Sequence, residues 1–189
     1  MIENLVEIPK KLNLGCGQTK LPGYWNIDKD DAVEPDQKID ICGYLPFASS
    51  YFEEVVFFHT IEHIEKKYHP PMLAEIHRVL DTDGRLVLGY PEFAVCAQYW
   101  IDNYLGKRDY WEACIYGRQT SPDDFHVSAM HTPELKDLLL SIGFKDITHR
   151  EEIGNRQYTV LKAIKGEPRI TYEQDLTELV FGKEIPNES

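Results

Sequence analysis

The sequence has no apolar run near the roughly 18 residues that a membrane-spanning helix requires. Basic residues are also few, since 20 Lys and Arg stand against 32 Asp and Glu and give a formal net charge of −12. This charge argues against binding to nucleic-acid phosphates and against docking on an anionic membrane surface. Residues 1–11 contain two glutamates and no long apolar stretch, so we expect no signal peptide. We therefore predict a cytoplasmic protein without a nucleic-acid or membrane partner.

Cysteine is scarce as well, and its spacing excludes two common uses. The four cysteines are Cys16, Cys42, Cys96 and Cys114, and no C-x-x-C pair occurs. We therefore expect neither a zinc ribbon nor a disulfide framework. Scattered single thiols are typical of a reducing compartment, where they act as small apolar side chains.

Strand and helix patterns alternate along most of the chain. Strand patterns cover residues 11–14, 24–28, 38–41, 53–58, 85–90, 144–150 and 158–164. One helix is predicted from Pro71 to the turn at 81–84, and a second from its N-cap Thr132 to the stop at Gly143. Because no helix pattern separates the last two strands, they should pair antiparallel. The sequence therefore predicts an α/β protein with a mostly parallel sheet and an antiparallel addition at one edge.

The chain is predicted to form one domain at residues 1–165, followed by a polar, acidic tail at 166–189. Residues 91–131 are rich in aromatic side chains and too long for an ordinary connection between a strand and a helix. We interpret them as a cap whose aromatic residues form a lid over a ligand, the core of a small helical subdomain, or a homodimer surface. The tail is a second candidate for a homodimer contact.

A glycine turn follows the first predicted strand. Gly15 and Gly17 would let the backbone approach a ligand closely, and Asp28 ends the next strand, where it could bind ribose hydroxyls. A G-x-G sequence alone also fits an ordinary tight turn. A nicotinamide dinucleotide site is disfavoured, because Asp28 stands 11 residues after Gly17 instead of roughly 20.

An ordered set of motifs resembles one enzyme family. The motifs are LNLGCG, YWNID, LPF, EEVVFFHTIEHI, EIHRVLDTDGRLVLGYPEF and LKDLLLSIGF. Across about residues 10–164 they resemble the class I S-adenosylmethionine-dependent methyltransferases, and most closely a small type-11-like family within them. The resemblance implies a doubly wound, seven-stranded sheet of Rossmann-like methyltransferase fold with an antiparallel terminal strand. It also implies S-adenosylmethionine as the cofactor.

The resemblance assigns the methionine and ribose contacts to the first two strands. Gly15, Cys16 and Gly17 would pass under the methionine part of the cofactor, and Asp28 would hold the ribose diol. Asn13 stands where the family usually has an acid, so it can hydrogen-bond but lacks the charge that helps to hold the cofactor's ammonium group. Residues 17–24 also look too short for the family's first helix.

The adenine and sulfonium contacts are assigned to later residues. Asp40 would face the adenine amino group, with Ile41 beside it. Leu45 and Phe47 would form the apolar wall of the adenine pocket or pack in the core, and His59 would line the floor beneath the sulfonium.

Residues 59–63, HTIEH, match the H-x-x-E-H signature of a group of zinc peptidases. Such a zinc site needs both histidines one turn apart on one helical face. His59 directly follows a strand and Thr60 is a plausible N-cap, so we expect that this geometry is not built and that the protein holds no metal. The family resemblance implies instead that Glu62 and His63 begin a helix.

The methyl acceptor is predicted to meet residues of the cap. His126 is the preferred general base, because similar sequences place a histidine before this helix, facing the cleft; Glu92, His59 and His131 are further candidates. The aromatic and weakly acidic cap favours a small-molecule or saccharide acceptor. Two alternatives stay open at this point: a binding protein of the same fold without catalysis and, less favoured, a nicotinamide-dependent oxidoreductase.

Overall fold

A seven-stranded sheet forms the centre of the protein, which we describe from a computed structural model over residues 7–152 and 158–169, with Glu152 described by its backbone alone. The strands are β1 (Lys11–Leu14), β2 (Trp25–Asp28), β3 (Gln37–Lys38), β4 (Phe52–Phe58), β5 (Leu80–Tyr90), β6 (Phe144–Glu152) and β7 (Tyr158–Lys165). Their order across the sheet is β3-β2-β1-β4-β5-β7-β6. Strands β1 to β5 pair in parallel, and β7 pairs antiparallel with both β5 and β6. The predicted α/β fold and its antiparallel addition are confirmed.

Two helices cover one face of this sheet. The four α-helices are α1 (His69–Val79), α2 (Phe93–Ile101), α3 (Arg108–Tyr116) and α4 (Thr132–Ile142). Helices α1 and α4 contact each other and share one apolar core with alternate residues of the strands, such as Val55 and Phe57 of β4. Over the ranges that the structure describes, no helix is both long and apolar enough to cross a bilayer.

On the opposite face of the sheet, hydrogen bonds from polar side chains hold the segment that follows β1. In a doubly wound fold, a first helix would normally pack at this position. From Gly17 to Tyr24 the chain forms only turns, as expected from the length of this segment. The Asn13 amide donates to Asn26 Oδ1 at 2.9 Å and to the carbonyl of Thr19 at 3.0 Å. Asn26 Oδ1 also accepts from the backbone N–H of residue 21 at 2.8 Å. These bonds satisfy backbone groups that would otherwise be paired within a helix.

A second polar network on this face lies between β2, β4 and β5. The buried carboxylate of Glu54 accepts a short hydrogen bond from the Tyr24 hydroxyl and another, at 2.6 Å, from Arg85 Nε. Burial and the bond to Glu54 raise the pKa of Tyr24 to about 12. Further along the same face, Val56 and Val87 pack with Val160 in a small apolar cluster that contains no helical residue.

Local structure differs from the sequence-based expectation at one strand end and two helix starts. Strand β3 has two residues, so Asp40 follows the strand instead of ending it. Residues Ile61–His63 form one 3-10 turn, and α1 begins only at His69, so Glu62 and His63 do not start a helix. Thr132 is the first residue of α4 and not its N-cap, because the Glu92 carboxylate accepts its N–H at 2.8 Å and so supplies the cap from another segment.

The cap consists of helices α2 and α3 and the loops around them. The Tyr99 and Tyr104 rings stack with centroids 4.5 Å apart, and Trp111, which is buried, packs at 4.8 Å from Tyr99. These contacts form a local aromatic cluster around Trp111, whereas most other aromatic side chains of the cap are exposed, so the three interpretations of the cap stay open. Ile101 and Leu105 stay exposed on its surface, so the predicted homodimer contact through the cap stays a prediction. The tail from residue 170 onward lies outside the described residues.

We expect Glu54→Gln to lower the free energy of unfolding at pH 7 by about 1–3 kcal/mol, because Tyr24 and Arg85 would lose a charged acceptor on a buried surface. Burial pushes the pKa of Glu54 upward, but hydrogen bonds from Tyr24 and Arg85 and the positive charge of Arg85 hold it below its ordinary value. A carboxyl with a lowered pKa stabilises the fold above its unfolded pKa, about 4.3, and this stabilisation is lost as the pH falls through the folded pKa. Urea unfolding at pH 7 and at about pH 3 should show the difference between variant and wild type shrinking.

Glu53→Gln is the matched control, since Glu53 is the exposed neighbour of Glu54 on the same strand. It should change the stability little at either pH. Equal losses in both variants, or a difference that does not depend on pH, would contradict the role given to Glu54.

Candidate functional site

The glycine turn after β1 adopts the conformation that only glycine accepts readily. Gly15 and Gly17 have φ values of +59° and +49°. A Cβ on Gly15 would lie 2.4 Å from Thr60 Cγ2, so this glycine is required for the turn after β4 to pack against it. At Gly17, by contrast, nothing lies within 4 Å of an added Cβ. The turn therefore leaves open space on the side of Gly17, where a ligand can approach the backbone.

Asp28 joins this turn to the end of β2. Its Oδ2 accepts the N–H of Gly17 at 2.9 Å, and its Oδ1 accepts the N–H of Asp30 at 3.0 Å. The structure thus brings Gly17 and Asp28 together at the carboxyl edge of the sheet, where ligands of doubly wound folds bind.

Two other residues assigned to the cofactor lie on β1 or just after it. Asn13 is buried, and its amide donates both described hydrogen bonds to the protein itself. The N–H of Cys16 donates to the carbonyl of Ile27 at 3.0 Å, and burial raises the pKa of the Cys16 thiol. Both residues therefore help to shape the turn, and their contact with a cofactor stays a prediction.

The four residues assigned to the adenine side lie in two different environments. Asp40 is exposed, and its Oδ1 accepts the N–H of Cys42 at 2.9 Å. Ile41, Leu45 and Phe47 are buried in the main core. Core packing, one of the two roles expected for Leu45 and Phe47, is what the structure shows.

His59 turns the chain sharply at the end of β4. Its φ of +51° is unusual for a residue with a side chain, and its N–H donates to the carbonyl of Gly89 at 2.7 Å. The ring lies 5.4 Å from the ring of Tyr158, and Nδ1 lies 3.5 Å from Glu62 Oε1. Because the next residue, Thr60, contacts Gly15, His59 stands close to the glycine turn.

A cluster of four polar side chains, which we call the histidine cluster, contains His59, Glu62, His63 and His126. The rings of His63 and His126 are 4.8 Å apart and nearly perpendicular. Glu62 is 1% exposed. Burial lowers the pKa of His126, although the nearby Glu62 carboxylate acts in the opposite direction. At neutral pH the ring of His126 is therefore neutral and carries one nitrogen lone pair.

Hydrogen bonds fix the two segments that form the histidine cluster. The carbonyl of Glu62 accepts the N–H groups of Val127 and Ser128 at 2.9 and 3.1 Å. Ser128 Oγ donates to the carbonyl of Ile64 at 2.5 Å. The buried ring of His69 also bonds the carbonyls of residues 61 and 64 through Nε2, at 3.2 and 3.0 Å. The turn after β4 and the loop before α4 are thus held in one arrangement.

The zinc-peptidase geometry is not built, as expected. His59 has a left-handed backbone conformation, and only residues 61–63 form a helical turn. The two histidines of the motif therefore do not share a face of one helix. The motif does bring Glu62 and His63 together with His126, a partner 63 residues further along the chain.

Glu92 is buried beside the start of α4. Its Oε2 accepts both the N–H and the hydroxyl of Thr132, and that hydroxyl also bonds Tyr90. Capping of α4 accounts for the burial of Glu92, and its catalytic role stays a prediction. His131, a further candidate base, has its Nδ1 3.8 Å from the Glu134 carboxylate.

The cap reaches back over the start of the sheet. Lys29, directly after Asp28, forms a 2.6 Å ion pair with Asp123 of the loop before α4. No sequence pattern predicted this contact, whose two residues are 94 positions apart. A separate surface cavity of about 570 Å³ lies between α1 and α4, and its lining includes neither the glycine turn nor the histidine cluster. The predicted cofactor residues and His126 lie outside this cavity, whereas the candidate base His131 lines it.

Comparisons with known proteins agree with this fold. The methyltransferase domain family matches residues 24–88, which is about a third of the chain. The comparison with curated proteins gives no significant sequence match.

Solved structures of S-adenosylmethionine-dependent methyltransferases share the fold along most of the chain. One from Archaeoglobus fulgidus superposes with a TM-score of 0.61 at 15% identity and covers 84% of this chain and 86% of its own. One from Thermotoga maritima gives 0.59 at 17% identity, with coverages of 85% and 84%. One from Methanosarcina mazei gives 0.57 at 18% identity, with coverages of 82% and 91%.

The motifs, the strand order and the family match thus agree. Over residues 24–88 in sequence and over most of the chain in fold, the protein is therefore similar to S-adenosylmethionine-dependent methyltransferases.

Proposed function

We propose that the protein transfers a methyl group from S-adenosylmethionine to a small-molecule or saccharide acceptor. The observation that carries this proposal is the bond between the N–H of Gly17 and Asp28 Oδ2, which fixes an open glycine turn beside a carboxylate at the carboxyl edge of the sheet. When bound, the cofactor supplies a methyl group on a sulfonium, which an acceptor displaces in line.

The cofactor side of the proposed site uses the first four strands. Gly15 and Gly17 would lie against the methionine part, and Asp28 would accept hydrogen bonds from the ribose hydroxyls. The exposed carboxylate of Asp40 would face the adenine. His59, at the end of β4, would lie below the transferred methyl group. These residues fit the cofactor because the turn has room beside Gly17 and the acid of β2 is adjacent to it.

The acceptor side of the proposed site uses the histidine cluster and the cap. His126 has a neutral ring whose Nδ1 is bonded to the carbonyl of Cys114 at 3.1 Å, which leaves Nε2 as the acceptor nitrogen. Phe125 and Val127, on either side of His126, are exposed and apolar. An acceptor with a planar or sugar ring and a hydroxyl group matches this surface. Positioning of that hydroxyl would supply much of the rate.

A second candidate function, binding without catalysis, is favoured by one observation. Asn13 replaces an acid and uses its amide to hold the turn at Thr19, so no negative charge stands there to meet the cofactor's ammonium group. Binding of the cofactor without turnover is the result that would support this candidate.

We also propose that the protein works in the cytoplasm and acts without nucleic-acid or membrane partners. The thiols of Cys16, Cys42, Cys96 and Cys114 are all free, as is usual in a reducing compartment. The net charge of −12 opposes binding to polyanions.

Calorimetric titration of S-adenosylmethionine and S-adenosylhomocysteine into the protein should give micromolar binding, with NADH giving none. We expect Asp28→Ala to weaken binding of both ligands by at least about tenfold, because the ribose hydroxyls lose a charged acceptor. Asp28→Asn keeps an oxygen for Gly17 and should bind with an intermediate affinity.

Asp31→Asn is the control, since Asp31 is exposed near the same strand end and pairs only with Lys38 among its described contacts. It should bind like the wild type. Equal binding by the Asp28→Ala protein, or binding of NADH alone, would reject the cofactor site proposed above.

Transfer of radiolabelled methyl groups should occur with some members of a panel of hydroxyl-bearing saccharides and small aromatic compounds, and not with RNA or DNA. His126→Ala should reduce turnover at least about a hundredfold while leaving binding of S-adenosylhomocysteine within about twofold, since a group that activates the acceptor contributes to kcat. A loss of ligand binding that matches the loss of turnover would show that His126 only supports the fold.

A further inference from the structure

The histidine cluster contains a buried carboxylate oxygen that the protein leaves unsatisfied. Within the ranges that the structure describes, Glu62 Oε2 has no hydrogen-bond partner although the side chain is 1% exposed. Its other oxygen, Oε1, lies 3.5 Å from His59 Nδ1. Buried charges are normally paired or bound to a metal, because removing them from water is unfavourable. A bound cation would therefore satisfy Oε2 of Glu62.

We propose that Glu62, His63 and His126 bind a divalent transition-metal ion of the zinc type and leave a coordination position open toward the acceptor. One ligand atom from each of these residues lies within 4.8 Å of the other two. In a tetrahedral site with bonds of about 2.0–2.2 Å, ligand atoms are about 3.4 Å apart. Side-chain movements of about 1 Å would close the difference.

The hydrogen bonds of both histidines prepare them for metal binding. His63 Nδ1 bonds the carbonyl of Phe125 at 3.0 Å, and His126 Nδ1 bonds the carbonyl of Cys114 at 3.1 Å. Because a carbonyl oxygen can only accept, each Nδ1 carries a proton, and in the neutral ring Nε2 is then the nitrogen with the lone pair that can bind a metal. A backbone carbonyl on the other ring nitrogen is the usual arrangement for histidines that bind metals, since it fixes the tautomer and the ring orientation.

The segments that carry the three ligands are held together independently of any ion. Val127 and Ser128 donate from their backbones to the carbonyl of Glu62, and His69 bonds the carbonyls at 61 and 64. A preformed site of this kind loses little conformational freedom on binding. Two imidazoles and one carboxylate form the ligand set of many catalytic zinc sites, which keep a fourth position for water or substrate.

This site differs from the one that the H-x-x-E-H motif suggests in a peptidase. There the two histidines of the motif would be ligands, whereas here His59 is outside the ligand set and its Nδ1 lies beside Oε1 of Glu62. The second histidine ligand of the proposed site is His126, which lies in the loop before α4. Only the folded chain can bring that residue to the motif.

The consequence for the reaction rests on the proposed function, with one change: His126 Nε2 binds the metal, so His126 activates the acceptor through the ion and not as a general base. A hydroxyl oxygen in the open position would lose its proton to water more easily, because a divalent cation lowers the pKa of an oxygen bound to it. In the transfer, a bond forms between this oxygen and the methyl carbon, the carbon–sulfur bond breaks, and its electron pair stays on sulfur. The inference narrows the acceptor to small molecules, including saccharides, that present a hydroxyl group.

The test uses the full chain, treated with a chelator and then freed of it, and titrates Zn²⁺ calorimetrically without cofactor or acceptor. We expect about one Zn²⁺ per chain, and we expect Co²⁺ to give the visible absorption of a four- or five-coordinate site. Glu62→Gln and His63→Ala should each weaken Zn²⁺ binding by at least about tenfold. His149→Ala, which removes an exposed histidine from the edge strand β6, should bind like the wild type.

Circular dichroism of each variant shows whether it folds. If Glu62→Gln does not fold, the loss of the visible Co²⁺ absorption in His63→Ala tests the metal site instead. Wild-type protein that binds no Zn²⁺, or that loses it equally in His149→Ala, would overturn the metal site. Stoichiometric Zn²⁺ without methyl transfer to any acceptor would leave the site standing and reject the proposed function. Methyl transfer that survives both chelation and His63→Ala would overturn the role of the metal in activating the acceptor.

Discussion

The sheet of this protein has to remain stable with helices on one face only among its described residues. Helices α1 and α4 bury one set of alternate strand residues, whereas the other set meets turns, polar side chains and a small apolar cluster. The networks around Asn26 and Glu54 make this possible, because they pair backbone and side-chain groups that a missing first helix would leave without partners. The short path from Gly17 to Tyr24 depends directly on them. The polar networks support the glycine turn beside β2 together with the bonds of Cys16 to Ile27 and of Gly17 to Asp28.

The same short path brings the functional groups close together. Since the chain returns to the sheet within a few residues, the Gly17 N–H can bond Asp28, and Lys29 can reach Asp123 of the cap. The cap, in which Tyr99 packs against the buried Trp111, carries His126, whose ring lies 4.8 Å from that of His63 in the turn after β4. Hydrogen bonds from residues 127 and 128 to Glu62 complete the connection. The acceptor side of the site is thus assembled from two loops that lie far apart in the sequence.

Several expectations failed where a distant contact replaced a local one. Thr132 looks like an N-cap in sequence, but the buried Glu92 carboxylate performs that role from 40 residues away. Glu62 and His63 look like the start of a helix, yet hydrogen bonds from Ser128 and His69 hold their segment as a single turn and α1 starts later. In these two cases the sequence pattern could not show the contact, because the partner residue lies far outside the local window. Strand β3, by contrast, is short for a local reason: the chain turns at Asp40, whose side chain accepts a hydrogen bond from the backbone N–H two residues on.

The sequence by itself determined the α/β class, the antiparallel terminal pair of strands and the methyltransferase resemblance, because strand periodicity and glycine placement are local properties. It also located Gly15, Gly17 and Asp28, which the structure brings to one edge. Tertiary structure alone decided which of the remaining candidates stay accessible: it buried Leu45 and Phe47 in the core and used Glu92 as a cap. It also brought Glu62 and His63 close to His126. His63 and His126 are 63 positions apart in the sequence, so their distance depends on the path that the cap takes over the sheet.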